Sequence, residues 1–440
     1  PLRILAACGE IRKKDTVAIT SDRIQRAQSA LLLVFILVGH TALCSVAWVP
    51  VYIDRLGVSF ATWGVILGVG AVGSMLSLLV ASRIILRFGS RGVLRVALYV
   101  GLAFLVSLAF TTNPVIWAGL NAGFTLSMSF VGMSANTHAV VLQKLVPRTI
   151  VPRLHAGWSM GAVLAAMTGA ISTALISLDV FLIATAIITL VLFEILRPRL
   201  LGPSEDGHLE DKAAHIKRRF YQAPAQLWVL AIGLFCAIYP EIAIVDWATV
   251  FARDVLEAEL ALRSAPFGGF MIGMIVGRLL MTRLADSVHP HVLASRGAVL
   301  GAITLGISAL LPSFSASWPT GVLLVLATGL WMVTGLGMSG VAPTFFAASA
   351  HVRGVSTTWA LSRMQLVSQF IMIGAKVVMG AIAEGINLQA AFGLPVVLLM
   401  ISAFIALRTT RGAETQELDL VSPTTGAITL PILSETPNDD

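Results

Sequence analysis

Charge is scarce in this sequence. Asp, Glu, Lys and Arg together make up 12% of 440 residues, against 57% hydrophobic residues and a mean hydropathy of +0.87. An ordinary soluble domain carries about a quarter charged residues. A soluble core of this size would need a charged surface that the chain cannot supply, so lipid must cover much of it. Cysteine is scarce too. Cys8, Cys44 and Cys236 lie far apart with no CxxC spacing, which argues against a disulfide framework or a cysteine zinc site and marks the thiols as packing residues. HExxH, GxSxG, clustered Cys and His ligands and a GxxxxGK(S/T) phosphate loop are all missing. Their absence argues against an enzyme, a metal or cofactor, and a nucleotide-driven pump within this chain.

What the chain does have is apolar runs. Crossing a hydrocarbon core of about 30 Å takes about 20 apolar residues at 1.5 Å each. Twelve segments qualify, from 30–52 near the start to 388–407 near the end, which predicts an all-α membrane protein of twelve transmembrane helices. Lys and Arg cluster in alternate loops, at Arg83, Arg87, Arg91, Lys144, Arg148, Arg153, Lys212, Lys217, Arg218, Arg219, Arg283 and Arg353; the other loops hold Arg55, Arg253 and Arg263. Basic loops stay cytoplasmic, so a multi-pass inner (plasma) membrane protein with both termini inside is expected, and the positive net charge reads as topology rather than nucleic-acid binding. The expected organisation is a cytoplasmic segment at 1–27, a six-helix bundle at 28–197, a cytoplasmic linker at 198–224, a second bundle at 225–408 and a disordered tail at 409–440.

The two bundles read as copies. "VAWVPVYIDR" at 46–55 parallels "VDWATVFARD" at 245–254, pairing Trp48 with Trp247 and Tyr52 with Phe251. Gly73 aligns with Gly273, "SRII" at 82–85 with "TRLA" at 282–285, and "GMS" at 132–134 with "GMS" at 337–339. The offsets are all roughly two hundred residues and keep the same order. A duplicated unit places a cavity between the halves, where rocking exposes a midplane site to either side in turn.

On these residues the chain resembles the major facilitator superfamily. Its loop "SRIILRFGSR" at 82–91 is similar to the superfamily's G-x-x-x-D-R-x-G-R-R loop, keeping Arg87, Gly89 and Arg91 but departing at Ser82 and Leu86. In the second copy Asp286 holds the acidic position, with Thr282 and Ser287 as departures. The resemblance implies secondary active transport by alternating access in two pseudo-symmetric bundles. It also implies a monomer and cytoplasmic gating loops built on Arg83, Arg87, Gly89, Arg91, Arg283 and Asp286. "MSANTHAVVLQK" at 133–144, "HAGWSMG" at 155–161 and "EIAIVDWATVFARDVL" at 241–256 resemble a bacterial branch allied to fucose-permease-like sugar transporters.

A charge at membrane depth costs about 2.5 kcal/mol or more, so each needs a partner, a wet cavity or a function. Glu241 and Asp246 follow Pro240, which is expected to kink or unwind its helix. Five residues of helix separate the two carboxylates by roughly 140°, so they are separate candidates for proton coupling. Asp246 is alternatively a structural partner of Arg253 or a gate residue. His40, within the first span, is a third proton-coupling candidate and a possible substrate contact. Lys376 either pairs with an acid such as Glu241 or receives an anionic group. Glu241, Asn136, Trp48 and Trp247 complete the substrate candidates, the tryptophans either stacking on a sugar face or packing as a gate. Proton-coupled uptake of a sugar or similar small polar solute is expected. Proton-antiport export of amphipathic compounds and a non-transporting solute sensor stand as alternatives.

Overall fold

A computed structural model describes residues 20–146, 150–202, 205, 224–284, 287–314, 318–349, 352, 355 and 357–421. Among these residues there are twelve helices long and apolar enough to cross a membrane. They are α1 (Ser21–Leu56), α2 (Phe60–Phe88), α3 (Ser90–Leu108), α4 (Pro114–Lys144), α5 (Arg153–Leu175) and α6 (Leu178–Arg199) in the first half. The second half holds α7 (Ala225–Asp254), α8 (Leu260–Met281), α9 (Pro290–Phe314), α10 (Thr320–Ala348), α11 (Trp359–Gly385) and α12 (Leu388–Arg408). The face on which α1 begins is called here the near face, and the opposite one the far face.

The duplication expressed in the sequence is visible in the packing. A Cβ on Gly73 would collide with the Ala122 carbonyl, locking α2 against α4, and a Cβ on Gly273 would collide with the Met332 carbonyl, locking α8 against α10. Two helix backbones approach that closely only where one side chain is absent. Tyr52 and Phe251 each lie against a tryptophan, though at different heights of the partner helix: Trp117 with ring centroids 5.0 Å apart, and Trp331 at 5.8 Å.

Three expectations are corrected. The break falls in α1 rather than at Pro240. Residues Ser21–Leu43 are helical, Val46–Trp48 form a 3₁₀ turn and the helix resumes at Val49–Leu56, whereas α7 stays continuous through Pro240. A single proline removes one backbone bond and leaves those around it in place. In α1, Pro50 likewise has no N–H for the Val46 carbonyl, which instead accepts from the Val49 N–H and, at 2.9 Å, from the Thr249 hydroxyl of the other half.

Secondly, α1 starts at Ser21, well before residue 28. Thr20 caps it through its side chain, and Asp22 complements the positive end of the helix dipole. Thirdly, the last helix runs on to Val421 through a stretch placed in a tail. "RGAETQEL" is made largely of good helix formers. Most of the linker, including Lys212, Lys217, Arg218 and Arg219, lies outside the described residues, as do Cys8, Arg148, Asp286 and Arg353.

The start of the linker is docked on the first half. Arg23 bonds the Leu200 carbonyl at 2.6 Å and the Glu205 carboxylate at 2.8 Å, and also reaches the Arg199 carbonyl. The Leu201 N–H donates to His138 at 3.1 Å, and the other ring nitrogen of His138 faces the Ser90 hydroxyl. His138 is thus committed to structure. Glu205 also accepts from the Gly202 N–H at 2.7 Å. Burial opposes ionisation of Glu205, but the bonds from Arg23 and Gly202 and the charges of Arg23 and Arg91 hold its carboxyl below the usual range.

Candidate functional site

A cavity of about 270 Å³ lies between the halves, lined by residues of α1, α2 and α4 on one side and α7 and α11 on the other. One wall is charged. Lys376 of α11 donates to the Asp246 carboxylate of α7 in an ion pair whose side chains are each 12% exposed. Asp246 lies eight residues from the far end of α7, or about 12 Å along the axis, within the hydrocarbon depth.

The opposite wall is aromatic. Tyr52, Trp63 and Trp117 are buried and in ring contact, with Trp63 and Trp117 centroids 5.1 Å apart. The Tyr52 hydroxyl and both indole N–H groups have no hydrogen-bond partner. A buried donor left unpaired costs about 1–3 kcal/mol, and three residues lining this one cavity carry such a group. The aromatic pair Phe251–Trp331 of the second half is unlike it. Trp331 donates to the Ser308 hydroxyl at 2.6 Å, and Phe251 has no hydroxyl to satisfy. Asn121, Thr125 and Gln369 add polar groups to the lining.

The cavity is sealed toward the far face. Arg253 bonds Asp54 at 2.8 Å and the Pro50 carbonyl at 3.1 Å across the halves. The Phe60 N–H donates to Glu384 at 3.0 Å, and Phe60 packs edge-on against Trp247. A Cβ on Gly64 of α2 would sit 2.8 Å from the Lys376 carbonyl and 2.9 Å from the Gly380 Cα of α11, so the two helices meet backbone to backbone. Toward the near face, Arg278 of α8 reaches the Ser159 hydroxyl of α5.

Of the expected site residues, the structure brings Asp246 and Lys376 together in the cavity. Lys376 pairs with Asp246 rather than Glu241, and Arg253 pairs with Asp54 and Asp254 rather than Asp246. Glu241 does not line the cavity, in keeping with the 140° separation, and the charge that acts on it is that of Arg278. His40 bonds Thr168 at 2.9 Å and faces a separate apolar pocket between α1, α5 and α6.

Trp48 donates to Ser172 and stacks on Phe181, and Trp247 belongs to the far seal; neither lines the cavity. Asn136 is exposed on α4 away from the cavity lining. Arg83, Arg87 and Arg283 are exposed at near-face helix ends. Gly89 adopts φ 76°, and Arg91 is half-buried beside Arg197, Arg23 and Glu205.

Tyr52, Trp63, Trp117 and Asn121 were not legible as site residues. In sequence they are aromatic and amide groups within apolar runs. The available signal was Tyr52 standing where the second copy has Phe251, a hydroxyl present in one repeat alone.

Two pseudo-symmetric six-helix bundles around a central cavity define the major facilitator fold. No protein-family model matches the chain. The chain is 24% identical over 373 residues to an uncharacterized MFS-type transporter of Yersinia pestis, covering 83% of this chain and 92% of that one. It is also 24% identical over 353 residues to an uncharacterized transporter of Sinorhizobium fredii, covering 78% and 88% respectively.

Among solved structures, it is similar to a bacterial homolog of the human lysosomal transporter Spinster in an inward-facing, unoccupied conformation. That match has a TM-score of 0.66 at 14% identity and covers 89% of this chain and 98% of that one. The nucleoside transporter NupG also matches at 0.66, with 13% identity and 88% and 99% coverage. A fucose-permease-like relative is not among these.

Proposed function

We propose that this protein is a secondary transporter that moves a small polar solute by alternating access, with proton coupling through the Asp246–Lys376 pair. One observation carries the reading: a cavity between the halves, sealed toward the far face, has a buried ion pair as its charged wall. Buried ionisable groups at membrane depth are costly and mark ion or substrate paths. The Lys and Arg distribution supports a cytoplasmic near face, so in this reading the far seal closes the cavity from the outside. The direction is uptake, and a sugar-sized solute suits a cavity of this volume.

Export of amphipathic compounds is the second reading, favoured by the apolar pocket of about 470 Å³ between α1, α5 and α6. The test is uptake into proteoliposomes with and without an inward proton gradient, across labelled sugars, sugar acids and cationic dyes. Gradient-dependent accumulation of a polar solute supports the first reading. Movement of dyes in exchange for protons, with no polar solute transported, replaces it with the second.

A further inference from the structure

We infer that the solute bears a carboxylate, which binds by replacing Asp246 as the partner of the Lys376 ammonium. The inference rests on the transport reading for its cycle, but on the cavity chemistry alone for its ligand class.

Asp246, Asn121, Thr125 and Gln369 bring acceptors to the lining, but the buried groups left unpaired around it are all donors. Lys376 and the indoles of Trp63 and Trp117 can only donate, and those two indoles and the Tyr52 hydroxyl have no partner. A cationic solute would bring further donors and strand Lys376. A neutral polyol could serve the indoles but would leave the ion pair as it is. An anion supplies acceptors to the orphaned donors and takes the ammonium, and the released Asp246 then stands unpaired in a dry site.

A carboxylate in that position takes up a proton. The charged group acting on Asp246 is Lys376 from α11; Tyr239 of its own helix also senses it, Tyr52 of α1 lines the same cavity, and Arg278 of α8 acts on Glu241 instead. Charges balance: one monoanion and one proton enter, Lys376 stays an ammonium throughout, and no net charge crosses. By contrast, the buried indole of Trp331 in the second half donates to Ser308.

The test measures binding to the full-length protein in nanodiscs, using lactate, gluconate, glucuronate and benzoate, each beside its neutral amide or alcohol and its amine analogue. At least one acid is expected to bind, more tightly as pH falls, and no amine. Lys376→Met is expected to lose acid binding by tenfold or more. Asp246→Asn, which removes the competitor, is expected to bind acids at least as tightly and without the pH dependence.

No binding by any acid, binding by amines or neutral analogues alone, or loss of binding in Asp246→Asn overturns the inference. Thermal unfolding of each variant separates lost binding from lost fold. Proteoliposome flux is read separately: acids that bind but are never transported leave the ligand class standing and defeat the transport reading. Transport of a neutral solute with no acid bound does the reverse.

Discussion

The guanidinium of Arg253, at the far end of α7, holds the Asp54 carboxylate of α1 at 2.8 Å and so ties the two halves together on the far face. Asp54 is largely exposed, and exposed pairs contribute about 0.2–1 kcal/mol. Arg253→Ala is therefore expected to shift the population toward the far-open state by up to about fivefold while leaving the fold intact. Distances between spin labels on α1 and α7 would measure it. An unchanged distribution would show that the pair does not hold the gate.

Gly64→Leu is expected to act more severely. The missing Cβ is what lets α2 touch the backbone of α11 at Gly380 and Lys376. A side chain there wedges the far seal open, and net transport is expected to fall by tenfold or more. Cysteine accessibility on the far side should rise in parallel. Normal transport by the variant would place the seal elsewhere.

Asp246→Asn is expected to lose proton-driven accumulation while keeping solute exchange, since the amide binds no proton at neutral pH. Glu241→Gln is expected to retain most accumulation, because Glu241 does not line the cavity and the charge that acts on it is that of Arg278. Exchange and gradient-driven uptake measured on the same proteoliposomes distinguish the two. The opposite pattern would assign coupling to Glu241.

His40→Leu is expected to leave the apparent KM within about twofold of the parent, since the ring bonds Thr168 outside the central cavity. Thr168 keeps its bond to the Leu164 carbonyl, so the stability loss is about 0.5–1.5 kcal/mol. A collapse of transport without a fall in Tm would return His40 to the solute path.

Docking of the linker start should depend on pH. The Glu205 carboxyl is held below its usual range in the fold, so its contribution is present above the unfolded value and is lost as pH falls through the folded one. Hydrogen exchange at the Gly202 and Leu201 amides should quicken in that acid range and not near neutrality. Glu205→Gln should remove the dependence.

The spans and the duplication were legible because lipid imposes a length and a composition, and because a glycine at a backbone contact leaves the same mark in both copies, as Gly73 and Gly273 do. Asp246 and Lys376 were legible because charge is rare in such helices. Their mutual pairing was not, since it depends on how α7 and α11 face each other across 130 residues of chain. Pro240 misled for a related reason: a proline reports one lost bond, whereas the break in α1 also depends on Thr249, from the other half, capping the Val46 carbonyl. The aromatic wall was hidden because a tryptophan with a satisfied N–H and one without are the same letter.

The unpaired groups of Tyr52, Trp63 and Trp117 belong to the first half of the chain, and the charges of Asp246 and Lys376 to the second. The two copies thus contribute different chemistry to one cavity. Under the proposed function, drift in Tyr52, Trp63 or Trp117 retunes which solute is accepted while the Asp246–Lys376 pair is inherited unchanged. Descendants of such a gene can diversify in diet without relearning how to harness a gradient.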